Sequence, residues 1–229
     1  MRTIALLPMK AHSERVPNKN FRDLAGKPLF RWILDALLEV KEIDQVIINT
    51  DARKILAENG LESEDRIIIR DRRPGICGDL VSMNLIIEDD LSATNADKYI
   101  MTHTTNPLLS SATIADAIST FEAARANQLA DSLFGVTKIQ TRFYKGDGTP
   151  INHDLDNLIR TQDLDPWYEE NSCIYIFDKT SFMENKARIG KNPILYEIPK
   201  LESVDIDDGE DWFLANVLAK GRLDESNYA

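Results

Sequence analysis

The alternation of short apolar runs with helical patterns constrains the fold of this chain more than any other feature. Apolar runs occupy residues 4–7, 45–49, 66–69, 98–102 and 131–138. Runs of this length are typical of buried strands, whereas the stretches between them place apolar side chains at helical spacing. Strands that alternate with helices in this way indicate βαβ units, which build a parallel sheet with right-handed crossovers. We therefore predict an α/β fold.

Capping residues and apolar spacing give more detail for the helices. Thr50 or Asp51 is expected to cap the second helix, and Ser110 or Ser111 is expected to cap the fourth. The third helix carries apolar residues that we expect to face mostly inward: Leu80, Met83, Leu85, Ile86 and Ile87.

The regular pattern breaks between residues 139 and 170, a polar stretch with isolated aromatic residues, glycines and prolines. Long irregular insertions in compact domains tend to be functional, so we expect a hairpin-like excursion, a lid or an oligomer arm. Because no linker divides the chain, residues 1–229 are predicted to form one domain. The remaining predicted elements are strands at 173–177, 195–198 and 204–207, a helix over 210–220 capped by Asp207 or Asp208, and a frayed tail from Gly221.

Charge, cysteine content and hydropathy limit the classes of function. A formal net charge of −11 argues against non-specific binding to nucleic acid or anionic membranes, because both need a broad positive field. The two cysteines, Cys77 and Cys173, show no metal-ligand spacing, and we expect reduced thiols. The N-terminal apolar run is too short for a signal peptide, and no run approaches the roughly 18 apolar residues that cross a bilayer. A soluble, cytoplasmic protein is expected.

A basic loop follows the first predicted strand. Residues 1–31 hold seven basic and two acidic side chains in an otherwise acidic protein, and Lys10, Arg15 and Lys19 lie in the loop itself. Open α/β sheets bind ligands at the carboxyl ends of their strands, and such a loop could neutralise the phosphates of a nucleotide. Neither the Walker pattern nor the Rossmann glycine pattern is present. A solvated basic loop without a ligand is the alternative.

An acidic pair lies near the other end of the chain. Asp205 and Asp207 flank Ile206, so both carboxylates would point to one face of a strand. Two carboxylates on one face suit Mg²⁺, which takes oxygen ligands and keeps waters and substrate phosphates. The alternative is helix capping, which would account for Asp207, Asp208 and Asp211 but leaves Asp205 unexplained. Together with the basic loop, the pair suggests a site for phosphoryl transfer, with cations on the leaving pyrophosphate and a metal on the α-phosphate.

Several motifs resemble those of the acylneuraminate (CMP-sialic acid) cytidylyltransferases. The stretch LLPMKAHSERVPNKN is similar to the family's N-terminal signature P-A-R-x-x-S-K-R-x-P-x-K-N. Further resemblances occur, in the family's order, in RRPGICGDLVS, TTNPL, RTQDLDPWYEENSCIYIF and ESVDIDDGED, so they span nearly the whole chain. The positions that match the N-terminal signature are Pro8, Ser13, Arg15, Pro17, Lys19 and Asn20.

The resemblance implies a fold and a reaction. The implied fold is the three-layer, Rossmann-like fold of nucleotide-diphospho-sugar transferases, with a mainly parallel (mixed) central sheet and helices on both faces. The implied reaction transfers CMP from CTP to the anomeric hydroxyl of an acidic keto-sugar and releases pyrophosphate, with Mg²⁺ as cofactor. It also implies that residues 139–170 reach a second subunit, so a homodimer is expected.

Roles for individual residues also follow from the resemblance. Lys10, Arg15 and Lys19 would hold the triphosphate, and Asp205 and Asp207 would hold Mg²⁺. Arg73 and the segment 79–82 would surround cytosine. The implied residue sets are: catalytic, Lys10, Arg15, Lys19 and Asp207; nucleotide-binding, Ser13, Asn20, Arg73 and Ser82; sugar-binding, His103, Arg160 and Asn171.

The chain also departs from the family pattern. Lys10 replaces an arginine and loses its bidentate fork, Glu14 replaces a lysine, and Leu109 replaces an arginine. Thr104 and His103 also differ from the usual residues. Two alternatives therefore remain: transfer to another sugar or from another nucleotide, and a catalytically weak relative that serves as a binding or assembly subunit.

Overall fold

A seven-stranded sheet forms the centre of the computed structural model, which describes residues 1–226, with side chains described through residue 222. The strands are β1 (Thr3–Leu6), β2 (Asp23–Leu24), β3 (Lys27–Pro28), β4 (Gln45–Thr50), β5 (Ile67–Asp71), β6 (Lys98–Thr102), β7 (Ser132–Ile139), β8 (Trp167–Phe177) and β9 (Pro193–Glu197). The helices are α1 (Leu29–Glu39), α2 (Arg53–Glu58), α3 (Met83–Ala93), α4 (Ser111–Ala126), α5 (Lys179–Asn185) and α6 (Gly209–Ser226). The strand order is β5-β4-β1-β6-β8-β7-β9, and β2 and β3 form a separate small hairpin.

Helices cover both faces of the sheet. Side chains alternate between the two faces along β1 and the residue that follows it, so Ala5 and Leu7 join one apolar cluster while Ile4 and Leu6 join another. The first cluster includes side chains of α1 and α4, and the second includes side chains of α3 and α5. The predicted α/β fold, with a mainly parallel sheet between two helical layers, is therefore confirmed.

Strand β8 is the antiparallel member of this sheet. It lies between β6 and β7 and pairs antiparallel with both, while the other adjacent strands pair in parallel. The strand begins at Trp167, so the predicted start at residue 173 was wrong, and residues 167–170 belong to the sheet rather than to the excursion. Their side chains are exposed, which explains why they lack the apolar pattern of a buried strand.

Four further expectations for the elements were wrong. Residues 204–207 form an extended segment, not a strand. Leu80 and Leu85 are exposed, because Leu80 precedes α3 and only Ile86, Ile87 and Leu91 of its apolar residues are buried. Ala52 occupies the N-cap position of α2, because Asp51 instead accepts a hydrogen bond from the backbone of Ala11 (2.7 Å). Helix α6 continues past Gly221 to Ser226. The rest of the predicted frayed tail, residues 227–229, lies outside the described residues.

Other predictions about the helices were confirmed. Ser110 caps α4 by accepting a hydrogen bond from the backbone of Thr113 (3.1 Å). Asp208 accepts hydrogen bonds from the backbone of Glu210 (2.8 Å) and of Asp211 (3.1 Å), so it caps α6. Between residues 1 and 226, no helix has the length and apolar character needed to span a membrane.

Candidate active site

A cleft of about 360 Å³ opens at the carboxyl ends of the parallel strands β1, β5 and β6. This is the edge at which open α/β sheets bind ligands, because loops from neighbouring strands diverge there. The cleft is mostly polar on the side of the basic loop and more apolar on the side of α3, where Val81, Met83 and Ile86 line it. The residues from the basic loop and the β6 loop that line it are Lys10, His12, Ser13, Glu14, Arg15, Lys19, Asn20, His103, Thr104 and Thr105.

The three loop cations face carboxylates from distant parts of the chain. Lys10 forms an ion pair with Asp79 on the opposite wall of the cleft. Arg15 Nη2 lies 2.7 Å from Asp207 Oδ1, and Lys19 Nζ donates to the Ile206 carbonyl at 2.7 Å and lies 3.9 Å from Asp207 Oδ1. The structure thus brings Arg15 and Lys19 together with Asp207, while Lys10 lies in the same cleft and pairs with Asp79.

Asn20 stabilises the basic loop through two hydrogen bonds of its side chain. Its side chain is 7% exposed, and its amide donates to the Lys10 carbonyl at 2.8 Å. Its Oδ1 accepts a hydrogen bond from the Thr104 hydroxyl at 2.7 Å. Because both polar ends of the amide are already satisfied by protein atoms, Asn20 shapes the loop and joins it to the end of β6.

Asp205 and Asp207 lie on an extended segment beside this loop. The backbone N–H of Ile206 donates to the Thr105 carbonyl at 2.8 Å, and the Ile206 side chain is fully buried. Burial raises the pKa of Asp205, an effect that the Thr105 side chain and Lys19 partly offset. Asp205 Oδ1 is buried and has no hydrogen-bond partner among the described side chains. Burial likewise lowers the pKa of Lys19, and the charges of Asp207 and Asp205 oppose that effect.

This pair could hold a metal ion only with help from the substrate. No group of three or more histidine, cysteine, aspartate or glutamate side chains with metal-binding geometry occurs in the described part of the chain. Mg²⁺ nevertheless needs only one or two carboxylates when phosphates and waters complete its shell. The orphaned Oδ1 of Asp205 fits such a role, because a buried carboxylate oxygen without a donor needs a cation or a water.

His103 lies at the inner end of the cleft as a neutral imidazole. Burial lowers its pKa to about 3, and the nearby charges of Arg188 and Lys19 act in the same direction. The ring packs edge-on against Tyr175, with centroids 6.5 Å apart. Arg188 stacks over the same tyrosine at 4.1 Å and donates to its hydroxyl at 3.1 Å. Arg188, which the sequence analysis did not identify, is therefore a cation close to His103, although it lines a neighbouring pocket and not the cleft itself.

Six of the predicted site residues do not line the cleft itself. Asp205 and Asp207 lie beside it, where Asp207 contacts Arg15 and Lys19, and the other four lie elsewhere. Arg73 is exposed and pairs with Asp89 at 2.5 Å, and Ser82 caps α3 by accepting a hydrogen bond from the backbone of Asn84 (3.3 Å). Arg160 lies in the excursion and bonds to Asp163. Asn171 is 8% exposed, and its amide donates to the Thr137 hydroxyl at 3.2 Å.

Arg72 lines the cleft in the place where Arg73 was expected. The reason is that β5 runs to Asp71, two residues beyond its predicted end, and Arg72 continues the pairing by donating its N–H to the Thr50 carbonyl at 2.8 Å. Placing the strand end correctly would have identified Arg72. Burial lowers the pKa of its guanidinium, while the charges of Asp51 and Asp90 act to raise it.

Comparisons with known proteins agree with the resemblance found in the sequence. The pattern of the family described as Cytidylyltransferase matches residues 4–211. The N-acylneuraminate cytidylyltransferase of Streptococcus agalactiae serotype V is 26% identical over 93% of this chain and 52% of its own length. This chain therefore spans about half the length of that relative.

Other relatives match along most of their length. The CMP-N,N'-diacetyllegionaminic acid synthase of Legionella pneumophila is 27% identical over 95% of this chain and 96% of its own. The pseudaminic acid cytidylyltransferase of Campylobacter jejuni is 23% identical over 96% and 97%. Among solved structures, a CMP:2-keto-3-deoxy-manno-octonic acid synthetase complexed with CTP has a TM-score of 0.67 at 13% identity, covering 97% of this chain and 100% of its own. At that identity the likeness shows the fold alone.

Proposed function

Because this chain belongs to the cytidylyltransferase family, we propose that it transfers CMP from CTP to the anomeric hydroxyl of an acidic keto-sugar and releases pyrophosphate. The observation that carries the proposal is that Arg15 and Lys19 of the basic loop meet Asp207, 192 residues from Arg15 in sequence, beside the cleft at the ligand-binding edge of the sheet. The named activities of several relatives, on N-acylneuraminic, legionaminic and pseudaminic acids, support the class of acceptor.

The triphosphate binds against the basic loop. Lys10 and Arg15 are paired with Asp79 and Asp207, and both ion pairs are partly exposed, so they exchange their carboxylates for phosphate oxygens at small cost. Lys19 is more deeply placed, with its side chain 11% exposed, and therefore provides a fixed charge for the leaving pyrophosphate. The nucleoside lies towards Arg72, where Val81, Met83 and Ile86 offer apolar surface.

Asp205 and Asp207 would hold the Mg²⁺ that the resemblance implies. When bound, the metal polarises the α-phosphate and neutralises charge that develops there. The chain's own contribution is to keep two carboxylates beside the phosphate cations, with Asp205 partly desolvated and Asp207 3.9 Å from Lys19 Nζ. Because Arg15 and Lys19 both contact Asp207, the nucleotide and the metal bind next to each other.

The acceptor lies towards His103, at the end of β6. A neutral imidazole there donates or accepts a hydrogen bond to a hydroxyl of the sugar without adding charge. The oxygen of the anomeric hydroxyl attacks the α-phosphorus, the hydroxyl gives its proton to water, and the bond between the α-phosphorus and the leaving pyrophosphate breaks. Arg160 and Asn171 would then contribute to the acceptor site only from a second subunit or indirectly.

The homodimer is part of the same proposal. The excursion and the start of β8 expose large apolar side chains, which a second copy would cover: Ile151, Leu155, Leu158, Ile159, Trp167 and Tyr168. Arg160 lies within this patch, so pairing through it would place the arginine near the partner's surface.

Pyrophosphate release tests the reaction directly. The purified protein is incubated with CTP, Mg²⁺ and a panel of nine-carbon and eight-carbon keto-sugar acids, with UTP and ATP as matched controls. We expect release that requires CTP and one of the acids. Binding of CTP without release for any acid would refute the enzymatic proposal and favour a binding subunit. Release with another nucleotide would favour the alternative donor.

A further inference from the structure

Arg72 is a buried cation that reaches the cleft without a bonded carboxylate. Its side chain is 9% exposed, and its Nε donates to Asn49 Oδ1 at 3.0 Å. Its Nη2 donates to two backbone carbonyls, those of Met9 (3.1 Å) and Asn49 (2.8 Å). Within residues 1–222, Nη1 has no acceptor and no carboxylate lies within ion-pair distance of the guanidinium. The protein thus fixes one edge of the guanidinium and leaves the other for a ligand.

Two buried aspartates, Asp89 and Asp90, accept hydrogen bonds from the side chain of Asn49. Asn49 lies on β4 with no exposed surface, and its Nδ2 donates to Asp90 Oδ1 at 2.8 Å and to Asp89 Oδ2 at 3.3 Å. Asp89 and Asp90 are 5% and 1% exposed, and Arg70 forms ion pairs with both, so the pair has its own counterion.

The neighbours of Asn49 determine which way its amide is oriented. The NH₂ group must face the carboxylates, because an amide oxygen would be repelled there, and the oxygen must face the cation. An aspartate in its place would add a third buried carboxylate, and an aliphatic residue would supply neither contact. Asn49 therefore links the acidic pair under the sheet edge to the guanidinium in the cleft.

We propose that Asn49 is a positioning residue that keeps the Nη1 edge of Arg72 aimed at the nucleoside end of the nucleotide. The inference rests on the proposed CTP site. Arginine has a long side chain with several rotatable bonds, and fixing it before the ligand arrives removes that entropy cost from binding. Since Lys10, Arg15 and Lys19 hold the other end of CTP, loss of Asn49 should weaken nucleoside contacts and leave polyphosphate contacts intact.

A double-mutant cycle tests this inference. Dissociation constants for CTP and for inorganic tripolyphosphate, each with Mg²⁺, are measured by titration calorimetry for the wild type, Asn49→Leu, Arg72→Met and the double variant. Removing a hydrogen bond made by a charged donor weakens binding about 10- to 100-fold, so each single variant should weaken CTP binding by roughly that factor. If Asn49 acts through Arg72, the double variant binds CTP no more weakly than Arg72→Met alone. Tripolyphosphate binding should be unchanged in all of them.

Two controls separate positioning from general damage. Asn185→Leu makes the same change on α5, where the amide donates to the Ser181 carbonyl and has no other partner among residues 1–222, and it should leave CTP binding unchanged. Should Asn49→Leu fail to fold, Asn49→Ser replaces it, since the short hydroxyl cannot bridge Asp90 and Arg72. Losses that add in the double variant, or an equal loss for tripolyphosphate, would overturn the inference. A wild type that binds neither ligand would refute the proposed CTP site itself.

Discussion

Asp207 has two possible roles, as a structural ion-pair partner of Arg15 and as a ligand of the metal, and replacing it with alanine distinguishes them. As a structural ion pair, Asp207 contributes little, because its side chain is 48% exposed and that of Arg15 is 64% exposed. Exposed pairs of this kind contribute about 0–1 kcal/mol to the free energy of unfolding. The backbone capping of α6 comes from Asp208, so loss of the Asp207 carboxylate leaves the helix start in place.

As a metal ligand beside the α-phosphate, Asp207 has a much larger effect on the reaction. Metal stabilisation of transition-state charge is of the order of several kcal/mol, and about 4 kcal/mol corresponds to a roughly thousandfold loss of kcat. We therefore expect Asp207→Ala to unfold in urea within about 1 kcal/mol of the wild type while its rate of pyrophosphate release falls about a thousandfold.

Asp208→Ala provides the matched control. It removes the carboxylate that accepts from two N–H groups of α6, so it should lower the unfolding midpoint and leave kcat near the wild-type value. The two adjacent variants thus have opposite expected patterns. An Asp207→Ala protein that keeps full activity would refute the metal role, and one that unfolds as easily as Asp208→Ala would show that Asp207 is structural.

Three further predictions concern the loop, the buried acid and the excursion. Asn20→Leu leaves the Lys10 carbonyl and the Thr104 hydroxyl without their partner. The free energy of unfolding should therefore fall by about 1–3 kcal/mol in urea titrations, and the KM for CTP should rise. An unchanged KM would contradict the role of Asn20 in stabilising the loop. Burial raises the pKa of Asp90 to about 6, so the folded state binds a proton that the unfolded state releases near pH 4. The contribution of Asp90 to the free energy of unfolding is therefore fully present below about pH 4 and is lost as the pH rises towards 6. In urea titrations at a series of pH values, Asp90→Asn should remove that decline. Leu158→Asp places a charge in the exposed apolar patch and should convert the proposed dimer to a monomer in light scattering, whereas Leu201→Asp, an exposed leucine outside the patch, should not.

Much of the site was accessible from sequence because its parts are local. Lys10, Arg15 and Lys19 lie on one loop, so the end of a short apolar run was enough to place them at the ligand-binding edge of the sheet. Arg73, Ser82, Arg160 and Asn171 were expected at the site from the family resemblance alone, and they do not line the cleft. Arg72 and Arg73 differ by one position at a strand end, and a shift of one residue turns a side chain to the opposite face.

The order and composition of the elements in this chain follow from hydrophobic periodicity, because burial of one strand or helix face is recorded in its own residues. The sequence by itself therefore determined the α/β class, most of the strands and the basic loop. The tertiary structure alone decided which distant groups meet. Insertion of β8 between β6 and β7, the pairing of Arg15 with Asp207 and the Asp90–Asn49–Arg72 chain all depend on contacts between separate elements. Such contacts produce no periodic pattern in the sequence, because each depends on a single polar side chain and on the exact residue at which its strand or helix ends.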